Sequence, residues 1–153
     1  MEILTGNGLV RGIAMEQDGH CLFAAVVNQM HPDIDVSSDQ FKRHISKYRK
    51  ISADYIRGNR KQMKVQLEYA VKSAQNSLYS SQKTLKGKID AYIRNLEKGS
   101  EWGGAECLEA LANRLNVEII IYQERILHVT TDTALSYSFK PKNEVGMETI
   151  GLI

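Results

Sequence analysis

The hydrophobic pattern predicts an α+β domain, with helices first and a small, mostly antiparallel sheet last. Residues 21–115 carry apolar side chains at helical spacing, while residues 117–153 carry short β-branched runs punctuated by Pro141 and Gly146. At 153 residues, 42% hydrophobic and 25% charged, the chain has enough apolar residues for one core and too few for two.

Taken in order, Thr5-Gly6-Asn7-Gly8-Leu9-Val10-Arg11-Gly12 reads as a loop. Its glycines fall as G-x-G-x-x-x-G, one residue too long for the dinucleotide-binding fingerprint, and no convincing strand precedes them. A turn at Asp18-Gly19-His20 opens a helix at Cys21 that should stop at His31, before Pro32. Ser37 with Gln40 forms a capping-box pattern for a helix through Phe41, Ile45 and Tyr48. Between about 52 and 98 two amphipathic helices are expected, joined at Ser80-Ser81-Gln82. Leu67, Val71, Ala74 and Leu78 mark the first, and Leu85, Ile89, Tyr92 and Leu96 the second; together they form an inserted helical hairpin. Ser100 is placed to cap a helix carrying Leu108, Leu111, Ala112 and Leu115. Val117–Tyr122 reads as a central strand. Ile126–Thr130, Leu135–Phe139 and Glu148–Ile153 are the other strand candidates.

Composition excludes several classes. No run approaches the ~20 apolar residues of a membrane span. Two cysteines without a Cys-x-x-Cys or His-x-x-x-His pair make neither a disulfide framework nor a metal site, and no cofactor is implied. The N-terminus lacks a basic, then apolar leader, so the chain reads as intracellular, cytosolic or nuclear, with reduced thiols. Charge is unevenly spread. Residues 42–98 hold fifteen Lys and Arg against Asp54, Glu68, Asp90 and Glu97, a balance of +11, which leaves −9 for the rest. Such a basic middle fits a solvated helix face, or a surface for nucleic acid or acidic membrane with Tyr55, Tyr69, Tyr79 and Tyr92 among its cations.

Cys21 begins a helix, where unpaired N–H groups and the macrodipole favour an anion, so its thiol should ionise readily. Position alone fits equally a small core hydrophobe. Cys107, beside Leu108 and Leu111, reads as core.

Three pieces align in order: Asp18-Gly19-His20-Cys21-Leu22-Phe23; Trp102-Gly103-Gly104 leading into Glu106-Cys107-Leu108-Glu109-Ala110-Leu111-Ala112; and Asn116-Val117-Glu118-Ile119-Ile120-Ile121-Tyr122. In this order they resemble the ovarian-tumour (OTU) family of cysteine proteases, with the inserted lobe resembling bacterial-effector members. The resemblance implies a papain-like OTU fold as a single domain over 1–153. It implies a deubiquitinase acting on ubiquitin or polyubiquitin, in the host cytosol if the protein is a secreted effector. Cys21 would be the nucleophile. Backbone N–H groups of Gly19, His20 and Cys21 would form the oxyanion hole. Asp18 would hold the turn or orient the site, or serve only as a turn former. Trp102 and Gly103 would flank the cleft for the Gly-Gly tail, although a lone Trp also fits a core role.

The family's general base is a histidine just past the last strand. Here that strand matches Glu148–Ile153, so the chain is expected to be a piece ending before its base, and weakly active or inactive alone. His20 adjoins Cys21 on a diverging face, His31 lies a helix length away, and His44 sits among basic residues. His128 is the outside candidate for the base. A catalytically dead ubiquitin-binding module of the same fold is the alternative.

Overall fold

In the computed structural model, residues 2–4, 9–11, 21–73, 82–101, 103–123 and 135–152 are described. Two three-residue strands, β1 (Glu2–Leu4) and β2 (Leu9–Arg11), pair antiparallel, with Glu2 opposite Arg11 and Leu4 opposite Leu9. The expected loop over 5–12 is therefore corrected at Leu9–Arg11, and a strand does precede the glycines. Runs of three residues are too short for alternation to register.

Helix α1 (Cys21–Met30) stops where Pro32 requires. Its Phe23, Val26 and Val27 are fully buried. Helix α2 (Asp39–Gly58) is capped one residue later than expected. The Ser38 hydroxyl accepts from Phe41 N at 3.1 Å. Ser37 instead donates its N–H and hydroxyl to Asp35 Oδ1, at 2.9 and 2.8 Å. Asp35 competes for Ser37 by closing an Asx turn, which leaves the cap to its neighbour. The helix then runs 20 residues, well past Tyr48 and into the expected hairpin.

At Asn59 it breaks. The Asn59 N–H donates to Ile56 O at 3.1 Å and its side-chain amide to Tyr55 O at 2.8 Å. A short helix follows, α3 (Lys64–Ser73), with Leu67 and Val71 buried and Met63 buried just ahead of it. Ala74 and Leu78 lie outside the described residues. Helix α4 (Leu85–Lys98) is capped by Thr84, whose hydroxyl accepts from Gly87 N at 3.0 Å. It buries Ile89, Tyr92, Ile93 and Leu96. α4 lies mainly along α2, with α3 a lesser neighbour. The hairpin is thus knitted to the body through α2.

Gly99, at φ 95°, ends α4, and the Asn95 carbonyl accepts from the N–H groups of Gly99, Ser100 and Glu101. The Ser100 hydroxyl reaches back to that same carbonyl at 3.4 Å and does not cap the next helix. Helix α5 (Ala105–Leu115) starts instead at Gly104, with no side-chain cap. Asn116, at φ 55°, turns the chain in the left-handed region and donates its amide to Val145 O at 2.8 Å.

Strand β3 (Val117–Gln123) follows at once and is central, as expected. Strand β4 (Leu135–Phe139) pairs antiparallel on one side, and β5 (Glu148–Leu152) pairs parallel on the other. The result is a small mixed sheet ordered β4-β3-β5, with Ile119 opposite both Phe139 and Ile150. Val117, Ile119, Ile150 and Leu152 face inward and are buried. Outward, Glu118 accepts from Ser138 at 2.8 Å and Thr149 at 3.5 Å. Helices α1 and α5 pack on the inner face, with α2 against both. Ile126–Thr130 lies outside the described residues. No helix among the described residues is long and apolar enough to cross a membrane.

Candidate active site

Cys21 is the first residue of α1, and the two residues after it decide what lies alongside. Gly103 approaches so closely that a Cβ there would meet Phe23 Cε2 at 2.8 Å, Phe23 Cζ at 3.1 Å and Leu22 Cδ2 at 3.4 Å. Only a residue without a side chain lets the Glu101–Gly104 segment lie against this first turn. The structure therefore brings Gly103 to the helix end that Cys21 begins, across more than eighty residues of chain.

Beneath this contact sits a buried polar layer. Arg49, 1% exposed, donates through Nη1 to Leu96 O and Glu101 O, each at 2.8 Å. Its guanidinium carbon stands 4.6 Å from the centre of the Phe23 ring. Next to it the buried Tyr92 hydroxyl donates to Glu106 Oε1, and a Cβ at Gly104 would meet Glu106 Oε2 at 2.9 Å. Burial and the nearby Glu106 hold the Tyr92 hydroxyl in its protonated form far above the usual range. Cys107 is fully buried, with its sulfur 3.8 Å from Glu106 Oε1, and burial followed by that carboxylate pushes its thiol up. It is a packing residue.

The described histidines lie elsewhere. His31 follows α1 at the end opposite Cys21, a separation of about 15 Å for ten residues at ~1.5 Å each. Its Nε2 is 2.9 Å from the Tyr48 hydroxyl, and its ring stacks on His44 with centroids 4.2 Å apart. Burial, then His44, then Lys47 lower the His31 pKa. His44 Nδ1 is buried without a partner. Neither ring can serve Cys21 from there.

The sequence profile of OTU-like cysteine proteases matches residues 16–149. The chain belongs to that family. The ubiquitin-thioesterase candidate 232R of Invertebrate iridescent virus 3 is 29% identical over 101 residues, which is 66% of this chain and 10% of that protein. The candidate L96 of Tipula iridescent virus is 25% identical over 150 residues, 95% of this chain and 16% of that protein. This chain thus spans about a tenth to a sixth of the length of these relatives. The crystal structure of the viral OTU domain protease from Farallon virus matches with a TM-score of 0.55 and 22% identity. That match covers 91% of this chain and 76% of the viral one, so the OTU fold is shared. These relatives are viral, and the likeness of the helical lobe to bacterial effectors finds no support in them.

Of the expected site residues, Cys21 and Gly103 are among the described ones, and Gly103 lies against Leu22 and Phe23, the two residues that follow Cys21 in α1. Asp18, Gly19, His20, Trp102 and His128 lie outside the described residues. Among the described residues no group of three or more His, Cys, Asp or Glu could hold a metal. The acids of the basic middle are engaged: Asp54 and Glu97 by Lys50 and Arg57, Asp90 by Arg60, Glu68 by Lys64. Sequence reasoning missed Arg49, Tyr92–Glu106 and Glu101. A signal existed for the first: Arg49 lies in phase with Ile45, Ala53 and Ile56, a charge inside an apolar stripe.

Proposed function

We propose that the chain is the catalytic domain of a cysteine-type deubiquitinase that hydrolyses the bond after ubiquitin's C-terminal glycine. The observation that carries this is the packing of Gly103 against Leu22 and Phe23, in the turn of α1 that Cys21 begins. The family and the viral ubiquitin-thioesterase candidates support the substrate class.

In this reading the Cys21 thiolate attacks the glycyl carbonyl, forming a C–S bond and a tetrahedral oxyanion held by the N–H groups of Gly19, His20 and Cys21. Collapse breaks the C–N bond, and the substrate lysine amine leaves with a proton from the general base. Water, deprotonated by that base, then releases the acyl group from sulfur. Asp18 steadies the turn, and Trp102 with Gly103 flanks the channel for the tail. The base is a histidine other than His31 and His44, which stack on one another at the far end of α1 from Cys21.

Ubiquitin bearing a C-terminal electrophile tests this directly. The full gene product should form a one-to-one adduct at Cys21, and Cys21→Ala should form none. Absence of an adduct in the unsubstituted protein, with binding of ubiquitin retained, would instead support the non-catalytic module.

A further inference from the structure

Arg49 is a charge buried where packing alone calls for none. Taking a guanidinium out of water is costly unless partners replace its hydration, so a buried one marks a place where geometry matters. Three of its contacts fall on separate parts of the chain. Leu96 O lies in the last turn of α4, Glu101 O lies two residues before Gly103, and the Phe23 ring belongs to the first turn of α1. Gly103 presses on the edge of that same ring. Phe23 is therefore held between a guanidinium and a glycine, two residues beyond Cys21.

Arginine suits this place for a physical reason. A planar guanidinium can stack on a ring with its face while donating in its own plane to carbonyls. A lysine ammonium keeps the charge but has neither the plane nor the fork.

We propose that Arg49 is a positioning residue that sets the gap between the start of α1 and the Glu101–Gly104 segment, and so the width of the slot in which the acyl group meets Cys21. This rests on the reading of Cys21 as nucleophile. These three contacts are to carbonyls and a ring, not to a reacting atom. Without its two carbonyl bonds the Glu101–Gly104 segment can slide along the Phe23 ring, and a misplacement of about 1 Å near reacting groups can cost about a hundredfold in rate.

The test uses the full gene product and ubiquitin with a C-terminal electrophile, comparing Arg49→Lys with the unsubstituted protein. Amplitude of labelling reports the folded, competent fraction; the rate constant at saturating probe reports geometry within that fraction. Arg49→Lys should lower the saturating rate constant about tenfold, with the half-saturating probe concentration moving less than about twofold. Phe23→Leu keeps an apolar filler but removes the ring, and should act in the same direction should Arg49→Lys fail to fold. A saturating rate constant equal to that of the unsubstituted protein, whatever the amplitude, shows a purely structural role and overturns the proposal. No labelling of the unsubstituted protein defeats the Cys21 reading, and this inference falls with it.

Discussion

Replacing Gly103 by alanine adds one methyl group at a place where the structure has no room. The new Cβ would stand 2.8 Å from Phe23 Cε2 and 3.1 Å from Cζ. Carbon atoms rest at about 3.5–4.0 Å, so something must move by most of an ångström. The ring cannot simply retreat, because it is fully buried and Arg49 lies 4.6 Å across its face. The φ of Gly103 is not in the left-handed region, which leaves the penalty steric. Overpacking of this kind costs roughly 1–3 kcal/mol. At about 2–4 °C per kcal/mol for a domain of this size, the expected fall in melting temperature is about 2–12 °C.

The functional effect should exceed the stability effect. The segment carrying Gly103 borders the proposed acyl slot, so a shift of most of an ångström should lower kcat/KM for a ubiquitin–fluorophore substrate by about ten- to a hundredfold. Thermal melts and kinetics on the same preparations separate the two. Combining Gly103→Ala with Phe23→Leu should return part of the melting temperature, since the shorter side chain makes room. Melting within about 1 °C of the parent would refute the packing argument. A lowered melting temperature with unchanged kcat/KM would refute the link between this segment and Cys21.

Tyr92→Phe leaves Glu106 buried without that donor and should cost about 1–3 kcal/mol in urea unfolding; loss of less than 0.5 kcal/mol (about half the usual worth of one hydrogen bond) would show that another group satisfies the carboxylate. Ser38→Ala should cost about 1 kcal/mol as loss of a helix cap, and Ser37→Ala, which touches only the exposed Asp35 turn, should cost less in the same assay. His31 should make stability depend on pH. Burial, His44 and Lys47 depress its folded pKa below the ordinary value, so the folded state favours neutral imidazole. Its contribution is full above pH of about 6.5 and is lost as pH falls through the folded pKa. His31→Gln should flatten the decline in urea midpoint between neutral and mildly acidic buffers, and an unchanged decline would assign it to other groups.

What the sequence made legible was what local rules decide. Pro32 stops α1, and the β-branched run after Asn116 is too short for a helix and becomes the central strand. Choices made between distant groups were not legible. Ser37 and Ser38 are equivalent candidates until Asp35 takes one of them. The break at Asn59 depends on a side chain turning back onto Tyr55 O, in a stretch whose apolar spacing continues through it. The Cys21 and Trp-Gly-Gly motifs could be picked out singly. The approach of Gly103 to the first turn of α1 depends on Phe23 and Gly103 fitting together, and on Arg49, whose carbonyl partners lie about fifty residues away.

The two cysteines show why a helix start alone does not make a nucleophile. Cys107 also lies in the first turn of its helix, α5, with its N–H bonded to Gly104 O at 3.0 Å. By the dipole argument it should ionise easily. Instead, burial and then the Glu106 carboxylate push its thiol up, outweighing the lowering from a Gly104 backbone hydrogen bond to the thiol itself and from Arg49. Desolvation wins because a fully enclosed thiolate lacks water to stabilise it, whereas a dipole of about half a charge supplies little in return. A reactive thiol therefore needs access and a proton acceptor as well as a helix start. In the native full gene product, iodoacetamide at neutral pH should alkylate Cys21 and spare Cys107. In urea the two should react at similar rates, because the environment that separates them is gone. Alkylation of Cys107 in the native protein as fast as Cys21 would mean that α5 opens readily, and would undercut the buried layer on which the Gly103 contact rests.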